Sequence, residues 1–262
     1  KRQMYIHKLE WIEDMSSLID EAKRLSEKGR YEESSELIKR ALAIMKKNGD
    51  VDGLIRLTTC GLPGISYEID EAVKALGESG DKRAVEPLLG MFMRELESFH
   101  RRLEQKRSGL FVTQLVDRNR TLAIVTALGL IGDQRSVEPM IELMDELLET
   151  GRPPPVMGFQ ESKRAMGSFR TFPIFDMNEA NDMVEIRACI AWALGSIKDR
   201  RAVGPLIRVL HTDWAWASKS NAAIALGLIG DERAVEPLRI ALKDDDEYVR
   251  EAAKKALKKF LP

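Results

Sequence analysis

A chain of 262 residues, 44% apolar and 32% charged, is long enough for one large domain or two small ones and too rich in core-forming residues to be disordered. Forty-one basic residues against forty-two acidic ones leave a net charge of −1, which removes the general electrostatic case for binding nucleic acid or anionic membranes while leaving room for a local basic patch. No apolar run approaches the roughly eighteen residues that span a bilayer, and Cys60 and Cys189 stand apart, with neither a disulfide framework nor a Cys-rich metal site. The opening Lys1-Arg2-Gln3-Met4 is too charged for a signal peptide, so the expected address is cytoplasmic and insertion into a membrane is not expected. A start at Lys1 suggests a trimmed or excised chain. Ten Asn and Gln among abundant Lys, Arg and Glu lean toward a thermophilic source.

Residues 1–48 read as an N-terminal helical hairpin that caps the repeats after it. Its two helices, Leu18 to Leu42, turn around Gly29-Arg30-Tyr31-Glu32-Glu33. Gly29, Tyr31, Ile38 and Ala41 make this stretch similar to a tetratricopeptide unit, although Ser34 and Ala22 only approximate that pattern and no closing Pro comes after it. Asn48-Gly49-Asp50-Val51-Asp52-Gly53-Leu54 reads equally as a worn copy of the turn that organises the rest, with Gly53 where that turn has Pro.

Residues 49–262 are governed by one phrase. It first appears as Ala75-Leu76-Gly77-Glu78-Ser79-Gly80-Asp81-Lys82-Arg83-Ala84-Val85-Glu86-Pro87-Leu88 and returns at 127–140, 193–206 and 225–238. Ala-Leu-Gly closes an amphipathic helix, with small residues that admit a neighbour and a Leu that fills the seam. Gly80, Gly132 and Gly230 stand where a helix end requires a left-handed residue; Lys198 takes that place in the third copy, which predicts a strained turn. Asp81, Asp133, Asp199 and Asp231 are N-cap candidates for the next helix. Pro87, Pro139, Pro205 and Pro237 then fall in its first turn or so, where a missing N–H costs little. The phrase is a tight corner between two antiparallel helices, and such units bury their apolar faces only by stacking.

This phrase resembles the HEAT-like repeat of the phycobilin-lyase type, over about residues 65–260. The resemblance implies an all-α fold, an α-solenoid whose helix pairs wind into a curved superhelix. It also implies that the turn residues Asp81/Arg83, Asp133/Arg135, Asp199/Arg201 and Asp231/Arg233 pair along the stack in a structural role.

The spacing between repeat prolines is 52, 66 and 32 residues, so two of the repeats carry additions. The first, about 91–112, keeps helical spacing through Phe92, Leu96, Phe99 and Leu103 to a turn near Ser108-Gly109. The second is a long insertion at about 151–182, opened by Pro153-Pro154-Pro155, which forbids helix there. It interleaves Arg152, Lys163, Arg164 and Arg170 with Phe159, Phe169 and Phe172, a composition that suits either a protein contact or packing on the solenoid. Arg101, Arg102, Lys106 and Arg107 serve their helix's C-terminus or extend the same basic patch. Asp244-Asp245-Asp246-Glu247 with Lys254, Lys255, Lys258 and Lys259 after it reads as a closing helix with acid first and base last.

No catalytic, cofactor or metal site emerges. His7, His100 and His211 are the only histidines, and none has a partner at metal-ligand spacing; the His-Glu pairs of the deoxyhypusine hydroxylases are missing. The G-x-x-G pattern at Gly77–Gly80, Gly129–Gly132 and Gly227–Gly230 is read as helix capping rather than as an RNA-clamping loop. Trp192 is expected in the core. Asp213, Trp214 and Trp216 invite comparison with the Trp/Asp/Arg cleft of HEAT-like DNA glycosylases, against the simpler reading of a capped helix anchored by aromatics.

The expected function is a non-catalytic scaffold for a protein or peptide, with nucleic acid not the expected partner. The second helices, beginning near Ala84, Ser136, Ala202 and Ala234, would line the concave face. The 151–182 insertion would rim it, with Arg152, Phe159, Lys163, Arg164, Phe169, Arg170, Phe172, Trp214 and Trp216 as candidate contacts. A chromophore-lyase-type or other enzyme on the same scaffold is the first alternative, and a nucleic-acid-binding or base-excision protein the second.

Overall fold

The computed structural model describes residues 15–110, 112, 114–150 and 177–260, and every regular element in them is helical. An N-terminal pair, α1 (Met15–Glu27) and α2 (Tyr31–Asn48), precedes the short α3 (Val51–Thr58). Then come α4 (Ser66–Ser79), α5 (Val85–Arg107), α6 (Arg118–Ile131), α7 (Val137–Thr150), α8 (Met177–Ile197), α9 (Val203–Thr212), α10 (Trp216–Ile229), α11 (Val235–Ala241) and α12 (Glu247–Leu257). The chain is an all-α solenoid. Helices α4, α6, α8, α10 and α12 are the first helices of successive units, and α5, α7, α9 and α11 the second.

Two layers result. First helices pack directly on one another in order, α4 on α6, α6 on α8, α8 on α10 and α10 on α12. Their closeness comes from the Ala-Leu-Gly stretch. A Cβ built on Gly77, Gly129, Gly195 or Gly227 would lie 2.5, 2.9, 2.7 or 2.8 Å from the Cα of Ala127, Ala193, Ala225 or Ala256, respectively. Each glycine therefore seats the alanine of the next unit, and Leu76, Leu128, Leu194 and Leu226 fill the seam, all buried. The second helices lie further apart and are joined partly by polar side-chain pairs. His100 of α5 meets Glu146 of α7 at 2.6 Å, and Arg208 of α9 meets Asp145 of α7.

The corner between layers departs from the sequence expectation in one respect. Each capping Asp does not start the α-helix itself; it caps a single 3-10 turn (Lys82–Ala84, Gln134–Ser136, Arg200–Ala202, Glu232–Ala234) that runs into the α-helix at the next Val. The repeat proline thus falls at the third α-helical position, still within the first turn, where its missing N–H leaves no intrahelical bond unmade. Gly80, Gly132 and Gly230 adopt φ of 65°, 72° and 69°, and Lys198 is forced to φ 60°. Ser108 closes α5, with Gly109 at φ 79° directly after it. Asp246 caps α12, its side chain accepting the N–H groups of Tyr248 and Val249.

Trp192 is half-buried, its ring within 3.0 Å of where a Cβ on Gly129 would stand. Two glycine exchanges should therefore act with opposite sign. Gly129→Ala drives a methyl into the α6–α8 contact and should lower unfolding free energy by about 1–2 kcal/mol, despite alanine's better helix propensity. Lys198→Gly removes a left-handed lysine that is exposed and should raise it by about 1 kcal/mol. Urea titrations monitored by far-UV circular dichroism read both.

Candidate functional site

The turn residues form a ladder along one edge of the stack. In each corner the Asp accepts the backbone N–H of the Arg two residues on, at 2.9–3.0 Å, and the same Arg folds its guanidinium back onto that carboxylate. The guanidinium's remaining reach goes to the preceding unit: Arg83 to Asp52, Arg135 to Glu86 and Arg201 to Glu138. Asp52 occupies the place that Glu86 and Glu138 hold in their units, so the ladder extends into the worn turn at residues 48–54. The fourth rung differs. Gly204 stands where a Glu would be, and Arg233 donates instead to the carbonyl of Arg200 at 3.2 Å.

These pairs hold their acids ionised. The Arg135 guanidinium lowers the Asp133 carboxyl to about 2, and Arg233 does the same for Asp231. Asp81 and Asp199 are lowered by Arg83 and Arg201. Opposite behaviour marks the start of α6, where burial raises Asp70 despite its contact with Arg120, and raises Glu95 nearby. Asp117 beside them caps α6 through the N–H of Arg120. Among the described residues no group of three or more His, Cys, Asp or Glu is arranged to hold a metal ion.

A pair that sequence reading missed lies in the core. Arg187 of α8 and Asp213, between α9 and α10, are bidentate at 2.8 and 3.1 Å, and both side chains are 0% exposed. Arg187 also donates to the carbonyl of Leu147 in the last turn of α7 at 2.8 Å, and Asp213 accepts the N–H of Ala215 at 3.1 Å. One guanidinium therefore ties together α7, α8 and the entry to α10. The legible signal was periodic: Arg187 falls at an inward position between Met183 and Ile190, all three buried. Asp213 is consumed by this clamp rather than presented in a cleft beside Trp214.

Exposed apolar side chains gather elsewhere. Trp216 and Tyr248 stack on the surface with ring centroids 4.8 Å apart, and Trp214 is exposed beside them. From Trp216 the same face of α10 continues at four-residue steps to Ile224 (44% exposed) and Leu228 (39%), and on α6 to Leu130 (49%). Trp192 of α8 sits between these helices. From Leu122, Cys189 and Ser220 onward, the outward face of α6, α8 and α10 carries no charged residue. Helices α4 and α12 on either side are charged on that face, with Glu71, Lys74 and Glu78 on one and Glu251, Lys254 and Lys255 on the other. Among the second helices α7 is strongly acidic, with Glu138, Glu142, Asp145, Glu146 and Glu149. The second helices were expected to line the concave face; the uncharged stretches of α6, α8 and α10 lie on first helices.

HEAT repeats match residues 177–258, and PBS lyase HEAT-like repeats match residues 70–91 and 122–146. The chain is a HEAT-like repeat protein. No curated protein matches it. Among solved structures, this HEAT-like repeat protein is similar to human deoxyhypusine hydroxylase in complex with glycerol at 15% identity, over 94% of this chain and 97% of that one, with a TM-score of 0.28. At that score the likeness carries no argument about activity. Arg152, Phe159, Lys163, Arg164, Phe169, Arg170 and Phe172 lie outside the described residues.

Two outcomes test this electrostatic reading of the HEAT-like repeats. Asp133 is lowered from 3.8 to about 2 in the fold, so its contribution to stability is complete above about pH 4 and is lost as pH falls toward 2. Asp133→Asn keeps a capping oxygen without the charge; its melting temperature should trail the parent's at pH 6, and the gap should close by pH 2. Arg187→Met leaves a buried carboxylate unpaired and should cost about 3–5 kcal/mol, whereas Arg187→Met combined with Asp213→Ala should recover part of that loss in the same denaturation assay.

Proposed function

We propose that this HEAT-like repeat protein is a binding scaffold without catalysis of its own, and that it holds a protein or peptide on the outward face of α6, α8 and α10. One observation carries the reading: an uncharged, apolar face three helices wide, bordered by charged helices on both sides. Apolar surface of this extent, rimmed by polar residues, marks interaction sites on soluble proteins. Trp192, Trp214 and Trp216 supply the large, rigid side chains that dominate binding energy at protein contacts.

The scaffold suits that task mechanically. Each first helix is held by a glycine–alanine contact to its neighbour and by a corner that is chelated by its own Asp and Arg. A partner therefore meets a surface already in its bound shape and orders little of the scaffold on binding.

The triple substitution Leu130→Glu, Ile224→Glu and Leu228→Glu changes exposed side chains only. Helical circular dichroism and melting should stay close to those of the parent, and a photo-crosslinker at position 216, exposed at the start of the same face, should capture a protein that one at Arg94, on α5, does not. If the triple variant retains every captured protein, the proposal fails.

A further inference from the structure

A cleft of about 440 Å³ opens where the end of α9, the start of α10 and the short α11 meet. Helix α11 runs for seven residues where α9 runs for ten, and the cleft lies beside its end. Leu210, Ile240 and Ala241 give it an apolar side, and Lys219, His211, Arg239 and Lys243 bring basic groups to it. We propose that this cleft binds a carboxylate-bearing segment of a peptide. It is separate from the outward face of α6, α8 and α10 and does not rest on the docking proposed there.

The acceptors in the cleft are already used. Lys219 and Asp244, with side chains 18% and 14% exposed, pair with each other, and the other Asp244 oxygen accepts the N–H of Asp246 at 3.0 Å. Burial pulls the Asp244 carboxyl upward, but Lys219 and that N–H hold it below its ordinary value, so it stays ionised. Glu236 faces Arg239 at 3.6 Å. The carbonyls that end the two second helices are occupied as well. Arg208 accepts the Thr212 hydroxyl at 2.8 Å and Val209 the N–H of Asp213 at 3.1 Å. Ile240 and Ala241 accept the N–H groups of Lys243 and Asp244 at 3.0 and 3.2 Å.

Donors, by contrast, are in surplus. Lys219 meets Asp244 with one ammonium N–H and has others to give. His211 and Lys243 line the cleft without a hydrogen-bond or ion-pair partner among the described residues. An ammonium only donates, so the ligand that completes the cleft brings negative charge and spare acceptor oxygens. A long polyanion does not suit the surroundings. On the far side of α9 from the cleft, Glu142 and Glu149 of α7 are exposed one turn before and after Asp145, the partner of Arg208. A nucleic acid laid across α9 would meet both. A short peptide segment needs the cleft alone: its carboxylate meets Lys219 and Lys243, and an apolar neighbour packs on Leu210 and the exposed Ile240. The volume is at the small end of the range for ligand clefts, which also favours a short segment.

Fluorescence anisotropy of a short labelled peptide that alternates Leu and Glu, titrated with the full chain at low salt, tests this assignment. Saturable binding is expected, with none for the same peptide carrying Gln in place of Glu. Lys243→Glu should weaken binding about tenfold, while Lys74→Glu, the same charge change on α4, should leave it unchanged. Ile240→Ser should weaken it about threefold. All three positions are exposed, so helical circular dichroism should match the parent's. No saturable binding, equal binding of the Gln peptide, or equal effects of Lys243→Glu and Lys74→Glu overturns the cleft as the site. Displacement of the peptide by millimolar inorganic phosphate but not by millimolar acetate overturns the carboxylate as its ligand.

Discussion

Contact between a glycine of one first helix and an alanine of the next is the constraint on which the rest depends. At Gly77, Gly129, Gly195 and Gly227 there is no room for a methyl group, so successive first helices approach to backbone distance. That approach fixes the spacing of the stack. It brings each corner within reach of the one before, so that Arg83, Arg135 and Arg201 can chelate their own Asp and still touch the previous unit. It also places the outward residues of neighbouring helices side by side: Trp192 leans over Gly129, and Leu228 lies 3.5 Å from where a Cβ on Gly195 would stand. Close packing thus makes the apolar outward residues of three helices into one surface.

The third unit is where the repeat is least regular, and its irregularities are answered locally. Lys198 takes a left-handed conformation with no glycine to ease it, and Gly204 removes an acidic rung. The same unit comes after the longest insertion and contains the Arg187–Asp213 clamp. A buried ion pair is weak evidence for stability by itself, because desolvation opposes the attraction. Its value here is positional. With the Leu147 carbonyl and the Ala215 N–H also satisfied, it ties the helix before the insertion to the helix after it and to the next unit.

The corners were legible because their chemistry is local. A left-handed glycine, a capping Asp and a proline in the first helical turn each act within a few residues, and the structure reproduces them at Gly80, Gly132 and Gly230. The 3-10 turn inserted at each corner was not legible; it adjusts backbone hydrogen bonding over three residues without changing which residue caps. The direction of each Arg was only half legible. Pairing within the corner arises from a two-residue offset, while pairing with Asp52, Glu86 or Glu138 needs the neighbouring unit in place.

The sequence by itself determined the helical class, the stacking of helix pairs and the position of every corner, since these arise from short-range periodicity repeated four times. Tertiary structure alone decided which layer faces outward without charge and which buried Arg meets which buried Asp. Residues 122–131, 189–197 and 220–229 carry no charged side chain on any face, so no single face of theirs announces itself as core. Only the packing of neighbours shows which side is covered. Arg187 and Asp213 stand 26 residues apart and come together only because α8, α9 and α10 fold onto one another, a distance over which local chemistry has no reach.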